Sequence, residues 1–341
     1  MPGVPDEVME LTGPILAAGH EGPQSASGVL LARVAVGDTV NGKAVFAGDG
    51  GKIKYLTGNP GECLELWEVE ADGKNPRLLG KTAATADGDL KWSLDGKKVA
   101  YVHQVDGRRT IYVDDFSGKA TNLTSLDREN APEGWAFAPA WSRNGELAYL
   151  TNRSGNLDIM VSNSQGSRLV AGAETDETNP VWSPDGKNII FQRDGQFYIA
   201  GSDGGQEKAI TPQMDGKGMA AAWSADGKYL AVSVKGKLDQ QGIWLARTDG
   251  SEWKRLVQIG GGSDVAWSPD SRKVAFTDPE GMVYILTITS DGQKERLYSA
   301  TPEGAGSSSA YLAWSPNSQE LLLEWTPGSG EKRGLWKATL P

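Results

Sequence analysis

One phrase, met six times, dominates what this chain can fold into. Residues 182–187 read WSPDGK, and variants start at Trp92 (WSLDGK), Trp141 (WSRNGE), Trp223 (WSADGK), Trp267 (WSPDSR) and Trp314 (WSPNSQ). Successive motif tryptophans stand 49, 41, 41, 44 and 47 residues apart. A period of that length marks one supersecondary unit copied along the chain. The Ser-Pro-Asp-Gly core suits a type I turn: Ser at the first position, Pro pre-setting φ at the second, Gly free to be left-handed at the fourth. That is turn chemistry and not catalytic chemistry.

Each turn leads into a short β-rich stretch. These begin at Lys52 (KIKYLT), Lys97 (KKVAYV), Glu146 (ELAYLT), Lys187 (KNIIFQ), Lys228 (KYLAVS), Arg272 (RKVAFT) and Gln319 (QELLLE), seven in all. Their length and content of Val, Ile, Leu, Tyr and Phe are those of half-buried strands. A further strand follows in each unit, mostly closed by Asp-Gly or a polar-Gly pair, which is a hairpin signal. Six units then add a short fourth strand: residues 76–79, 121–124, 167–170, 208–211, 254–257 and 295–298. Four short antiparallel strands repeated at this period make the blade of a β-propeller. The seventh outer strand is missing after residue 341, and VLLARVAV (residues 29–36) can supply it from the other end of the chain. Pairing it there would close the last blade and remove an exposed edge. The expectation is an all-β, seven-bladed propeller over residues 28–341 behind a flexible arm of residues 1–27. Six blades are the fallback if residues 39–80 do not complete one. Phe46 stands near the Trp position of that first unit.

The recurring W-S-P-D-G phrase with its R-L-[TV] ending resembles the WD-like propeller repeat of TolB-type periplasmic proteins and of the propeller domains of prolyl-oligopeptidase-type peptidases. The resemblance covers roughly residues 29–341 and implies the fold; a shared fold does not by itself imply a shared function. Pro gives way to Leu94, Arg143 and Ala225, and Gly to Ser271 and Ser318. The two serines put the left-handed turn residue in question, because a side chain there costs roughly 1–2 kcal/mol. Likeness to TolB-type proteins implies an extracytoplasmic, periplasmic setting, with the leader absent from this chain, and partners within an envelope assembly. A cytoplasmic setting stays open.

Composition narrows the partners. With 34 basic and 44 acidic residues the net charge is −10 and no basic run is present, so neither nucleic acid nor an anionic membrane is an expected partner. No stretch approaches the ~18 apolar residues of a membrane span, so direct insertion is not expected. Cys63 is the sole cysteine, so no intrachain disulfide can form and redox chemistry does not reveal the compartment.

Chemistry-bearing residues are sparse. His20 and His103 are the only histidines, too few for a zinc site or a His-dependent relay. No G-x-S-x-G elbow occurs, so a peptidase reading needs a separate hydrolase chain that this propeller would gate. Three residues before a motif Trp, at the expected channel mouth, stand Asp89, Asn179, Asp264 and Tyr311. Asp89 and Asp264 could form an acid/base pair or share a cation in a propeller hydrolase or lyase; strand capping and solvation are the simpler role.

The longer connections all share the face opposite the WSPDG turns. Residues 125–137 are the longest and carry Arg128, Glu129, Asn130, Glu133 and Trp135, with Trp135 outside the repeat. Trp and Arg are the types enriched in interface hot spots, and variable loops on a rigid scaffold carry binding. The expected function is therefore a non-enzymatic scaffold or accessory subunit that holds a protein or peptide partner, including one in a membrane-associated complex. No catalytic residue, metal or cofactor is expected.

Overall fold

A computed structural model of the chain describes residues 8–10, 30–36, 44–58, 63–85, 89–105, 108–117, 120–123, 135–163, 165–211, 217–237, 240–258, 262, 264–300, 312–325 and 334–340. All regular structure among them is β. Strands β1 (Val8–Glu10) and β2 (Leu30–Val36) precede the first blade, which holds β3 (Val45–Ala47), β4 (Lys52–Thr57), β5 (Cys63–Glu70) and β6 (Arg77–Thr85). Blade 2 holds β7 (Leu90–Trp92), β8 (Val99–Val105), β9 (Arg108–Asp114) and β10 (Thr121–Asn122). Blade 3 holds β11 (Ala136–Trp141), β12 (Leu147–Thr151), β13 (Asp158–Asn163) and β14 (Gly166–Ala171). Blade 4 holds β15 (Glu177–Trp182), β16 (Asn188–Arg193), β17 (Gln196–Gly201) and β18 (Lys208–Ala209). Blade 5 holds β19 (Lys217–Trp223), β20 (Tyr229–Lys235), β21 (Gly242–Arg247) and β22 (Lys254–Val257). Blade 6 holds β23 (Val265–Trp267), β24 (Lys273–Thr277), β25 (Val283–Ile288) and β26 (Lys294–Ser299). Blade 7 takes β27 (Leu312–Trp314), β28 (Glu320–Trp325) and β29 (Gly334–Thr339) from the end of the chain.

The seven sheets are the blades of a seven-bladed β-propeller, and the first blade is complete, so the six-bladed fallback is set aside. The last sheet has the order β1-β2-β29-β28-β27. Strand β2 pairs antiparallel with β29 from Leu30↔Thr339 to Val36↔Gly334, the outer strand expected from residues 29–36. Strand β1 adds a short further edge on β2 through Val8↔Ala32 and Glu10↔Leu30. Only residues 8–10 of the arm are described.

The chain divides into two compact units, residues 1–56, 67–78 and 212–341 in one and residues 57–66 and 79–211 in the other. In the second unit the core lies between successive sheets. Ala148, Leu150, Ile159 and Val161 of blade 3 pack with Trp182, Ile189 and Phe191 of blade 4. The opposite face of blade 3 puts Leu147 and Tyr149 against Ala100 and Ile111 of blade 2. Strand alternation explains the division, since neighbours along β12 face opposite ways. The first unit repeats the scheme, with Leu321, Leu323 and Trp336 of blade 7 on Ala275, Val283 and Ile285 of blade 6.

The motif tryptophans do more than fill this core. The Trp141 indole N–H donates to the carbonyl of Lys91 at 3.0 Å, Trp182 to Ala140 at 3.0 Å and Trp314 to Ala266 at 3.1 Å. Each acceptor immediately precedes the motif Trp of the preceding blade, so the same bond sets one blade on the next. Trp267 packs in the same kind of place, but its buried indole nitrogen has no hydrogen-bond partner among the described residues.

The turns hold together around the motif serine. The Ser183 hydroxyl donates to Asp185 at 2.6 Å and accepts the Asn188 amide at 2.9 Å, while its carbonyl accepts the Gly186 amide at 2.9 Å. Gly186 is left-handed at φ 73°, which glycine allows without steric cost. Ser271 and Ser318 adopt the same backbone at φ 58° and 61°, so the departure from Gly does not break the turn. Each repays its strain in part through its hydroxyl: Ser271 accepts the Asp226 amide and Ser318 the Asp270 amide, both at 3.0 Å, from the turn of the preceding blade.

Two predictions follow from these contacts. Trp182→Phe removes a donor and leaves the half-buried Ala140 carbonyl without it, a loss of about 1–3 kcal/mol. Trp267→Phe loses packing only, so in urea denaturation the first variant should be the less stable by about 1 kcal/mol; equal losses would refute the role given to the indole bond.

The second concerns acid. The Ser93 and Ser183 hydroxyls, helped by the Lys97 and Lys187 amides, hold the Asp95 and Asp185 carboxyls below the usual carboxylate range. A depressed folded pKa stabilises above the unfolded value of roughly 3.9, and that stability is lost as pH falls through the lower folded value. Melting temperature should thus drop below about pH 4, and Asp185→Asn should flatten part of that slope. At neutral pH the variant should cost under ~1 kcal/mol, given solvent screening, because Asn317 makes the same contact with Ser315 at 2.6 Å. A steep loss at neutral pH with an unchanged acid slope would contradict this account.

Candidate functional site

In the meander of each blade, the WSPDG-type and Asp-Gly turns join strands at one end, and the second-to-third and inter-blade connections lie at the other. Trp135 sits at this second end, directly before β11. Its amide donates to Asn152 Oδ1 at 2.6 Å, and its carbonyl accepts the Asn152 amide at 3.3 Å. The backbone is therefore pinned, yet the side chain is 46% exposed, unusual for so large an apolar group. The guanidinium of Arg109, at the start of β9 in blade 2, lies over the indole with its carbon 5.3 Å from the ring centroid. Two neighbouring blades thus present a Trp and an Arg as one unit, a cation–π pair in solvent.

The other four loop residues singled out in the sequence, Arg128, Glu129, Asn130 and Glu133, lie outside the described residues, as does Tyr311. Asp89 is exposed just before β7, and its Oδ2 accepts the amide of Ala138 in blade 3 at 3.2 Å. Ala138 needs that support: its φ is 50°, where a Cβ is disfavoured. The residue lies in a bulge of β11 between Phe137 and Ala140. Asn179 occupies the same place in β15, with φ 53° and a bulge between Thr178 and Val181, and donates to Gln192 Oε1 at 3.1 Å. Such bulges re-aim the end of a strand. Asp264 is half-buried in the first unit, where its carbonyl accepts the Thr277 amide at 3.2 Å and its amide donates to Thr277 Oγ1 at 3.3 Å. The bond that Asp89 makes is a structural use for a carboxylate weighed as catalytic.

The most deeply buried acid at this end of blade 4 is Glu177, which has no exposed surface. Burial pushes its carboxyl up, against the pull of Arg193 beside it. Arg193 Nε donates to Glu177 at 2.7 Å and its Nη1 to Glu207 at 2.8 Å, and its guanidinium covers the rings of Phe191 and Tyr198. A raised carboxyl invites a general-acid role, but this one has no exposed surface and is already bonded to Arg193. Tyr101 in blade 2 has its hydroxyl pushed up to about 12, by burial first and by Asp114 second, so it stays neutral in water. Among the described residues no group of three or more His, Cys, Asp or Glu side chains is placed to hold a metal ion. No helix there is long and apolar enough to cross a membrane.

Arg109 and Asn152 escaped the sequence reading because they stand on hairpins of two different blades, far from residues 125–137 in sequence. The signal was present: both follow second strands, and so reach the same end as the long loop.

Residues 40–318 match the family model described as TolB beta propeller domain. The Tol-Pal system protein TolB of Bordetella pertussis is 27% identical over 161 residues, which cover 45% of this chain and 35% of that protein. The Protein TolB homolog of Chlorobaculum tepidum is 32% identical over 185 residues, 48% of this chain and 41% of that protein. The chain spans about two fifths or less of the length of these curated relatives. Among solved structures, an oligogalacturonate lyase in complex with manganese superposes with a TM-score of 0.67 at 14% identity, covering 98% of each chain. At that identity the likeness concerns the fold alone.

Proposed function

The chain belongs to the TolB-type β-propeller family, and from that premise we propose that it is a non-enzymatic binding scaffold, an accessory subunit of an extracytoplasmic complex. It holds a protein or peptide partner on the face that carries Trp135. The observation that carries this reading is the pinned but exposed indole: both main-chain groups of Trp135 are bonded to Asn152 while the side chain stands in solvent under Arg109. Fixing the backbone in advance reduces the ordering entropy that a partner must otherwise overcome. Trp and Arg at one spot are the composition of a hot spot. The Tol-Pal system named for the Bordetella relative supports protein partners and a cell-envelope, periplasmic setting as the place to look.

A propeller lyase or hydrolase is the competing reading. It would use Asp89 and Asp264, and the bond from Asp89 to the Ala138 amide favours the scaffold.

The test is affinity capture of the tagged chain from its own cells in mild detergent, with Trp135→Ala and Asp264→Asn alongside. The scaffold reading expects a stoichiometric protein partner that Trp135→Ala weakens by about thirtyfold, roughly the 2 kcal/mol of a hot spot, and that Asp264→Asn retains. A small ligand or cation that leaves only with Asp264→Asn would overturn it.

A further inference from the structure

Resting on the reading of this face as a partner surface, we infer that the partner presents an acidic peptide segment, and that Arg109 and Trp135 receive its carboxylate together. Arg109 is exposed and makes no salt bridge among the described residues. Elsewhere in the same unit Arg168 and Arg193 have carboxylate partners at 2.9 and 2.7 Å. A guanidinium carries five N–H donors in a planar fork that suits a carboxylate. The cation–π contact holds the Arg109 guanidinium carbon 5.3 Å from the Trp135 ring centroid, beside an exposed indole, and so places a candidate carboxylate receptor at this spot.

Three further features narrow the ligand. The main chain of Trp135 is saturated by Asn152, so an added strand has nothing to pair with there and recognition must run through side chains. Asp89, the carboxylate at the same end of blade 2, is bonded to the Ala138 amide. The chain as a whole carries a net charge of −10, so an acidic segment meets net repulsion from it and needs a local cation to bind, and like-charge repulsion elsewhere then supplies address. A uronate-rich polysaccharide would also bring carboxylates. It would, however, need an open indole face for its sugar rings, and Arg109 already lies over one face of Trp135.

The probe is a fluorescein-labelled peptide of alternating Glu and Gly, compared with its Gln isostere and with a labelled oligogalacturonate, read by fluorescence anisotropy against the full chain. The Glu peptide should bind and the Gln peptide should not. Arg109→Gln should weaken binding about tenfold, the range of one charge-assisted contact, and Arg109→Lys should restore only part. Added salt should weaken the complex. Both side chains lie at the surface, so unchanged melting temperatures would show that the variants fold. Equal binding of the Glu and Gln peptides, an Arg109→Gln variant that binds as before, or Trp135-dependent binding of the oligogalacturonate alone would each overturn the inference. Capture from cells separates it from the scaffold reading. If Trp135→Ala releases the cellular partner and Arg109→Gln does not, the scaffold stands and the acidic segment falls; if neither releases it, the location of the scaffold's face fails too.

Discussion

The bond from a motif indole to the carbonyl before the preceding motif Trp is the contact on which the rest of this molecule leans. A four-stranded sheet with two apolar faces has no reason of its own to prefer one setting against its neighbour, since hydrophobic burial is non-directional. The Trp141 bond to Lys91, the Trp182 bond to Ala140 and the Trp314 bond to Ala266 supply direction. Each anchors to main chain, so it tolerates any side chain at the acceptor, and Lys and Ala both occur there. The turns add a second tie at the same end, through Ser271 and Ser318 to the amides of Asp226 and Asp270.

With one end given to turns that hold blades together, the other is the one we propose for display. Its connections are longer, its first strands carry bulges at Ala138 and Asn179, and its exposed Trp135 is bonded by main chain rather than by packing. A rigid frame with projecting side chains is what a binding module needs, because order present before association is order that binding need not create. The acids at this end serve the frame: Asp89 steadies a left-handed Ala138, and Glu177 is sealed against Arg193. Asp89 stays exposed while it makes that bond, and Glu177 has no exposed surface.

The fold was legible because its determinants are local and repeated. The Trp spacing, the Ser-Pro-Asp-Gly turn and the alternating strands after it each point to the same blade, and even the swap of Leu30–Val36 into the last sheet follows from counting outer strands. What stayed hidden was pairwise and long-range. Nothing in WSPDG says where the indole N–H points. Ser271 and Ser318 read as faults in the pattern, whereas their hydroxyls reach amides in the preceding turn and offset a strained φ. The candidate site was half visible: Trp135 stood out as an aromatic beyond the repeat, but Asn152 meets it only through the β11–β12 pairing and Arg109 only once blades 2 and 3 are packed.

The central claim is that partners meet this chain at the end where Trp135 and Arg109 stand. In-cell photocrosslinking tests it most directly, with a benzophenone amino acid placed at Arg108, exposed at the start of β9 beside the intact Trp135–Arg109 pair, or, as the opposite-end control, at Leu94, which is 70% exposed in a WSPDG-type turn. The account predicts a discrete protein adduct from position 108 and none from position 94. An adduct from position 94 alone would mean that the turns, and not the loops, are the working face.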